Sequence, residues 1–301
     1  MKVGINGAVR DISDLKVGVS GAVRAVSEAY IGVAGATKKV WPNKKALNDY
    51  TWGEISEISS SGEAASMFKV GDRKEIVLNG TVGVLTFEDY HTYAYIIGIN
   101  HNAAVEGNNL IHFQLAKTAL SGGKDICFAD GSYNSSGSSA AFRMNTSKTN
   151  SGGWEDSYMR NNICGTSKST TSGRIMGAIP AELRNALKSV TKYTNNNGGS
   201  SASSAVTATT DYFFLLSEYE VFGNITYSNT YEANYQQQYA YYSAGNSKVK
   251  YRHNSTWSAA YWWLRSPDAV TSTNFVRVST GGTVNGYSAY RSLGFAPCFC
   301  V

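Results

Sequence analysis

Residues 261–301 read YWWLRSPDAVTSTNFVRVSTGGTVNGYSAYRSLGFAPCFCV. Two rigid blocks bracket this stretch. Trp262-Trp263-Leu264-Arg265-Ser266-Pro267 opens it, and Gly294-Phe295-Ala296-Pro297-Cys298-Phe299 closes it. Both suit a packed core, and at least one of the adjacent indoles is expected to be buried. Between the blocks lie small, polar and aromatic residues with no amphipathic period. Stiff ends around a chemically loose middle are how a recognition surface is built: a scaffold fixes the backbone and the loops carry the contacts.

The rest of the chain fits that reading. It has 301 residues, 42% hydrophobic and only 16% charged, with 20 Tyr and 30 Gly. That content supports a real core, and the surface must be largely Ser, Thr, Asn, Gly and Tyr. The net charge of +5 is dispersed. No Lys/Arg run exceeds a pair, so nucleic acid and membrane surfaces have no electrostatic footprint here. No apolar run reaches the roughly 20 residues of a bilayer span, and no secretory leader is read. Synthesis in a cytoplasm is expected. The four cysteines lack a CxxC and are read as reduced, with Cys298 and Cys300 as small core residues.

The first 42 residues repeat with a period of 14: Lys2-Val-Gly-Ile-Asn-Gly, Lys16-Val-Gly-Val-Ser-Gly and Tyr30-Ile-Gly-Val-Ala-Gly. Each unit predicts two short strands around a glycine turn. One unit buries almost nothing, so copies must stack or assemble. Pro42-Asn43 starts the connection to a second domain, residues 43–301.

In that domain Trp52 to Ile58 and Gly62 to Phe68 predict short helices. Lys69 to Leu78, Thr81 to Phe87 and Thr92 to Asn100 predict strands. Ile179 to Val190 predicts a helix with proline in its first turn. Tyr212 to Leu216 predicts a buried strand, and Tyr231 to Tyr242 a helix with Gln236, Gln237 and Gln238 on solvent. The fold class is therefore α+β, with a few helices around irregular β structure.

Chemistry finds little purchase. His91, His101, His112 and His253 are scattered with no HxH or HExxH spacing, so no metal is expected. No Ser sits in a G-x-S-x-G elbow. Glu218 and Glu220, read as a strand, share a face, and Arg265 is their expected buried partner in a structural pair. No catalytic residue and no cofactor are assigned.

Residues from about 52 to 301 resemble bacterial and phage domains with a C-type-lectin fold of the formylglycine-generating-enzyme kind. The resemblance rests on Lys69-Val-Gly-Asp72, Ile97-Gly-Ile-Asn-His101, Gly152-Gly-Trp154, Leu215-Leu-Ser-Glu-Tyr-Glu-Val-Phe-Gly223, Trp263-Leu-Arg-Ser-Pro267 and Gly294-Phe-Ala-Pro-Cys-Phe299. More narrowly, the chain is similar to variable proteins of diversity-generating retroelements, whose C-terminal codons are rewritten at adenines. Adenine mutagenesis of an Asn codon never yields Lys, Glu, Gln, Met or Trp. Those five types make up about one residue in seven of the chain, yet none occurs from Leu264 to Val301. The N-terminal repeats look like segments of phage tail and fibre proteins.

The resemblance implies a phage receptor-binding protein carried on the virion. It would be assembled as a trimer, joined to other tail proteins through residues 1–42, and directed at a host surface protein or glycan. A bacterial surface module of the same fold is the alternative. The oxidase branch is disfavoured, because Cys298 and Cys300 lie two apart inside an apolar strand.

Within a variable region of about 258–292, alternation turns Phe275, Val276 or Val278, Val284 and Ala289 inward, and Gly281-Gly282 makes a turn. The expected ligand-binding residues are Tyr261, Asp268, Val270, Thr271, Ser272, Thr273, Asn274, Arg277, Ser279, Asn285, Tyr287, Ser288, Tyr290 and Arg291. Tyr287, Tyr290 and Arg291 are the expected anchors.

Overall fold

The computed structural model describes residues 2–5, 8–11, 15–26, 29–33, 35–41, 45–136 and 140–301. The chain divides into two compact units, Met1–Ala46 and Leu47–Val301.

In the first unit each 14-residue repeat is one antiparallel hairpin: β1 (Lys2–Ile5) with β2 (Ala8–Asp11), β3 (Lys16–Val19) with β4 (Ala22–Ala25), and β5 (Ala29–Val33) with β6 (Ala36–Trp41). The middle turn places Ser20 and Gly21 at φ +50° and +83°, the two positive dihedrals that let a two-residue turn follow the strand twist. Strand β3 is exposed along its whole length, and Val23 is 74% exposed. The turn at Asn6-Gly7 and the connection at Pro42-Asn43 lie outside the described residues.

The second unit is mixed α+β, with strands outweighing helices. Helix α1 (Trp52–Ser60) starts at a Thr51–Glu54 capping box, in which each side chain accepts from the other residue's backbone N–H. After α2 (Ala64–Met67), the chain enters the hairpin of β7 (Arg73–Val82) and β8 (Leu85–Ile99). Ile76, Leu78 and Val82 point to the core, as a period of two requires. Next come α3 (Ala103–Glu106), β9 (Ile111–Lys117) and β10 (Ile126–Cys127). The chain continues through α4 (Ile175–Ala178), α5 (Ala181–Ala186), and the pair β11 (Val190–Asn195) and β12 (Val206–Asp211). Strand β13 (Phe213–Phe214), α6 (Glu218–Phe222), α7 (Ala240–Ser243), β14 (Lys250–Arg252) and β15 (Ser255–Ala260) lead to β16 (Trp262–Pro267), β17 (Asn274–Val278), β18 (Val284–Ser288) and β19 (Cys298–Cys300).

Three sheets position the C-terminal segment. The largest has the order β13-β19-β9-β8-β7, antiparallel throughout. The closing apolar block therefore runs into its interior, where Phe299 stacks on Phe113 at 5.2 Å and Trp52 meets both rings edge-on. The opening block becomes β16 of the sheet β16-β17-β18. Trp262 and Trp263 are both buried; their indole N–H groups donate to Lys248 O (2.9 Å) and Phe142 O (3.0 Å). A third sheet joins β10, β14 and β15.

Several local expectations give way to tertiary context. The helix expected from Ile179 to Val190 is confined to Ala181–Ala186; Leu187 is extended, and Val190 pairs with Asp211 in a Thr-rich strand pair. Tyr231 to Tyr242 is not one helix but a 3₁₀ turn, Thr230–Asn234, followed by α7. Gln236 lies inside rather than on solvent, because its amide accepts from Ser217 Oγ (2.6 Å) and donates to Tyr193 O (2.7 Å). Glu218 and Glu220 belong to helix α6, not to a strand; Ser217 and Glu220 form a second capping box.

Candidate binding face

The two blocks that bracket the C-terminal segment are tied to each other. Gly294 N–H donates to Tyr261 O (2.8 Å) and Trp263 N–H to Gly294 O (3.0 Å). The approach is so close that a Cβ on Gly294 would lie 2.8 Å from Tyr261 O and inside the contact radius of Cys127 Sγ. Residues 262–293 thus leave and return to one point of the frame.

Between those ends the frame holds the segment chiefly by its main chain. Asn150, fully buried, donates from Nδ2 to the carbonyls of Asp268 (2.9 Å), Thr271 (3.2 Å) and Asn274 (2.8 Å). Its own N–H donates to Ser272 O (2.8 Å), and its Oδ1 accepts from Gly199 N–H (3.0 Å). Further along, Asn145 N–H donates to Ala289 O, and Ser292 N–H to Ser135 O. None of these contacts depends on which side chains the segment carries. Asn150→Ala leaves Asp268 O without its donor and removes one of two donors from Thr271 O and Asn274 O, which keep Asn274 N–H and Asp268 N–H. A loss of about 2 kcal/mol is expected in urea unfolding, with faster amide exchange at residues 268–274 and at Gly199, whose N–H loses its acceptor.

The structure separates the expected site residues into two groups. In the β17–β18 register Arg277 faces Asn285 and Phe275 faces Tyr287. The pleat therefore puts Arg277, Asn285 and Tyr287 on one face. Tyr261 joins them: the Arg277 guanidinium lies between the Tyr261 and Tyr287 rings, 3.9 and 3.8 Å from their centroids. The segment from Asp130 to Ser136 walls this face. Tyr133 Oη accepts from Tyr261 N–H (2.7 Å), and Arg252 lies over the Tyr133 ring. Tyr287 Oη donates to Asn134 Oδ1 (3.3 Å), and Arg291 Nη1 to Asn134 O (3.4 Å). Tyr290 is half-buried beside Arg291, and Asn285 is exposed.

Asn274 and Ser288 project to the opposite face, where Asp268 lies against Gly286. Val270, Thr271 and Ser272 are exposed on the Asn150-held loop, Thr273 is half-buried there, and Ser279 bonds Thr283 across the hairpin turn. Two of the expected outward residues are buried. The Asp268 carboxylate turns in to accept from Val270 and Thr271 N–H (2.9 and 2.8 Å) and so shapes the loop. Arg277 is 8% exposed. Burial lowers its pKa against the opposing influence of Tyr261, Tyr287 and Tyr133. Val276 and Val278 are both buried.

Away from this face lies a buried charged cluster that sequence spacing could not reveal. Lys192 Nζ donates to Glu106 Oε2 (2.6 Å), Glu220 Oε1 (3.1 Å) and Tyr239 Oη (2.8 Å). Arg265 donates to both oxygens of Glu220, to Leu215 O (2.9 Å) and to Thr194 Oγ1 (2.8 Å). The expected Arg265–carboxylate pair is thus formed with Glu220 and extended by a lysine. Burial alone would raise the Glu220 pKa; Arg265 and Lys192 outweigh it and hold the carboxyl well below its ordinary range. Burial pushes Glu106 up to about 7, against the pull of Lys192.

His101 and His112, on either side of the connection from β8 to β9, meet beside this cluster with ring centroids 5.5 Å apart. His101, Glu106 and Glu220 offer ligand atoms within 4.8 Å of one another. The Lys192 ammonium, however, already sits on both carboxylates, and burial first, then Lys192, lowers His101 to about 3. The arrangement is a compensated ion cluster inside the fold. All four cysteines are buried free thiols, and burial raises Cys127 to about 12. Among the described residues no helix is long and apolar enough to cross a membrane.

Residues 126–301 match the model of a protein family described as a domain of unknown function, DUF6273. No curated protein and no solved structure matches the chain.

Proposed function

The chain belongs to the DUF6273 family, and we propose that it is a receptor-binding protein of a phage tail. In this reading a C-type-lectin-like domain presents a retroelement-diversified face to a host surface ligand. The observation that carries this is the main-chain grip on residues 262–293: Asn150, Asn145, Ser135 and Gly294 hold the segment without reading its side chains. Such a frame tolerates rewriting of the residues it displays. The hairpin repeats, which leave Val17, Val19 and Val23 exposed, suit burial against further copies or neighbouring tail proteins. Assembly as a trimer would let weak single-site contacts add through avidity. Buried thiols of raised pKa are poor nucleophiles, which favours binding over oxidase chemistry.

The test is a triple variant, Asn285→Ala, Tyr290→Ala and Arg291→Ala. Adhesion to the host cell is expected to fall by about two orders of magnitude, since aromatic and arginine anchors dominate such interfaces. The melting temperature is expected to stay within about 2 °C, because surface changes away from structural features have small effects. Unchanged adhesion would remove this face as the site.

A further inference from the structure

We propose that Arg277 receives the carboxylate of an acidic saccharide, so that the ligand of this face is a uronate-bearing glycan. This rests on the proposed role of the face in host binding. Arg277 and Arg265 are both buried arginines, and their surroundings differ sharply. Arg265 directs its donors to Thr194, Leu215 and Glu220. Arg277 Nε and Nη1 are buried and have no hydrogen-bond partner. A buried guanidinium without an acceptor is destabilising, and a fold keeps one where an acceptor arrives from outside.

The surroundings specify the acceptor. Tyr261 and Tyr287 cover both faces of the guanidinium, so its plane is fixed and only its N–H edge is left to bond. A fixed planar edge matches the two oxygens of a carboxylate. Among the described residues neither Arg277 nor its neighbours Arg252 and Arg291 has an ion pair with an acidic side chain. The local carboxylate, Asp130, is turned inward: it accepts from Ser132, Ala141 and Phe142 N–H and from Ser292 Oγ. A buried guanidinium with no counter-anion among the described residues calls for an anionic ligand. The rim offers amides and hydroxyls, from Asn134, Asn285 and Tyr290. Sugar hydroxyls complement such a rim.

The probe is a tetrasaccharide of alternating glucuronate and N-acetylglucosamine, compared with its carboxyl methyl ester. Binding to the full chain is followed by NMR titration of the Arg277 Nε–H resonance. The acid form is expected to bind about tenfold more tightly than the ester, the worth of a charge-assisted hydrogen bond. In Arg277→Gln the ratio of acid to ester affinity should fall to about one, whatever happens to the affinity the two forms share, which isolates the pairwise contribution. The comparison of acid with ester on the unaltered chain does not depend on how the variant folds, and Arg277→Lys supplies a second substitution.

Equal affinity for acid and ester, or no shift of Arg277 at millimolar saccharide, overturns the assignment. So does tighter engagement of Arg277 by the peptide acetyl-Asp-Gly-amide, which would make the partner a protein. Cell adhesion separates the two levels. If the triple variant loses adhesion and Arg277→Gln keeps it, the face stands and the carboxylate site falls.

Discussion

Arg265→Met is expected to cost about 3 to 5 kcal/mol, the penalty for stranding one member of a buried ion pair. For a unit of this size that lowers the melting temperature by roughly 10 °C. The reason lies in the charge count of the cluster. Lys192 and Arg265 bond Glu106 and Glu220, all four residues buried, with the buried carboxyl of Glu232 acting on Arg265 as well. Without Arg265, one ammonium must serve two carboxylates. Glu106, already raised to about 7 by burial, is the one that takes up a proton. Adding Glu220→Gln should recover most of the loss, because Lys192 and Glu106 then form a balanced pair and the amide keeps the cap on Ser217. Thermal melts of the two singles and the double measure this. If the double is as unstable as the sum of the singles, charge compensation is not what holds Arg265 in place.

Gly294→Ala is expected to damage both stability and binding, at about 1 to 3 kcal/mol. The added methyl has nowhere to go: Tyr261 O is 2.8 Å away, and the Cys127 side chain stands in the remaining space. Relief requires the pairing between Gly294 and Tyr261 to open, and Tyr261 is half of the clamp on Arg277. A core methyl elsewhere would lower the melting temperature and leave the face alone. This one should also blur the Arg277 Nε–H resonance and weaken adhesion. Cys127→Ala in the same chain frees part of the space and should restore part of both. Full stability with normal adhesion in Gly294→Ala would show that the ends need not be joined.

The features legible in the sequence are local or strongly periodic. The hairpins of the first unit follow from a 14-residue repeat with glycine at the turns. The bracketing blocks are core strands because Trp, Phe and Leu in such density have no other place. Arg265 declares itself as a charge amid apolar neighbours. Ser217-x-x-Glu220 is a helix-start signature, and a strand there overlooks the cap that the residues themselves announce. Other features have no local signal. Lys192 meets Glu106, and Gln236 turns inward, only through contacts between segments apart in the chain. Arg277 alternates with the buried Val276 and Val278 but shares the face of the buried Phe275, and its burial is completed by tyrosines that come from both sides of it in sequence. The fate of the site residues therefore splits according to strand pairing, which a single sequence does not specify.

The Asn150 amide has a consequence of another kind. It is blind to chemistry but it counts. Its three acceptors sit at positions 268, 271 and 274, and one inserted or deleted residue between them would carry at least one carbonyl out of reach. Apart from Asp268, whose carboxylate shapes the turn, the loop can therefore explore alphabets freely and lengths hardly at all. Any process that generates novelty here must swap letters while leaving the spacing of the word untouched.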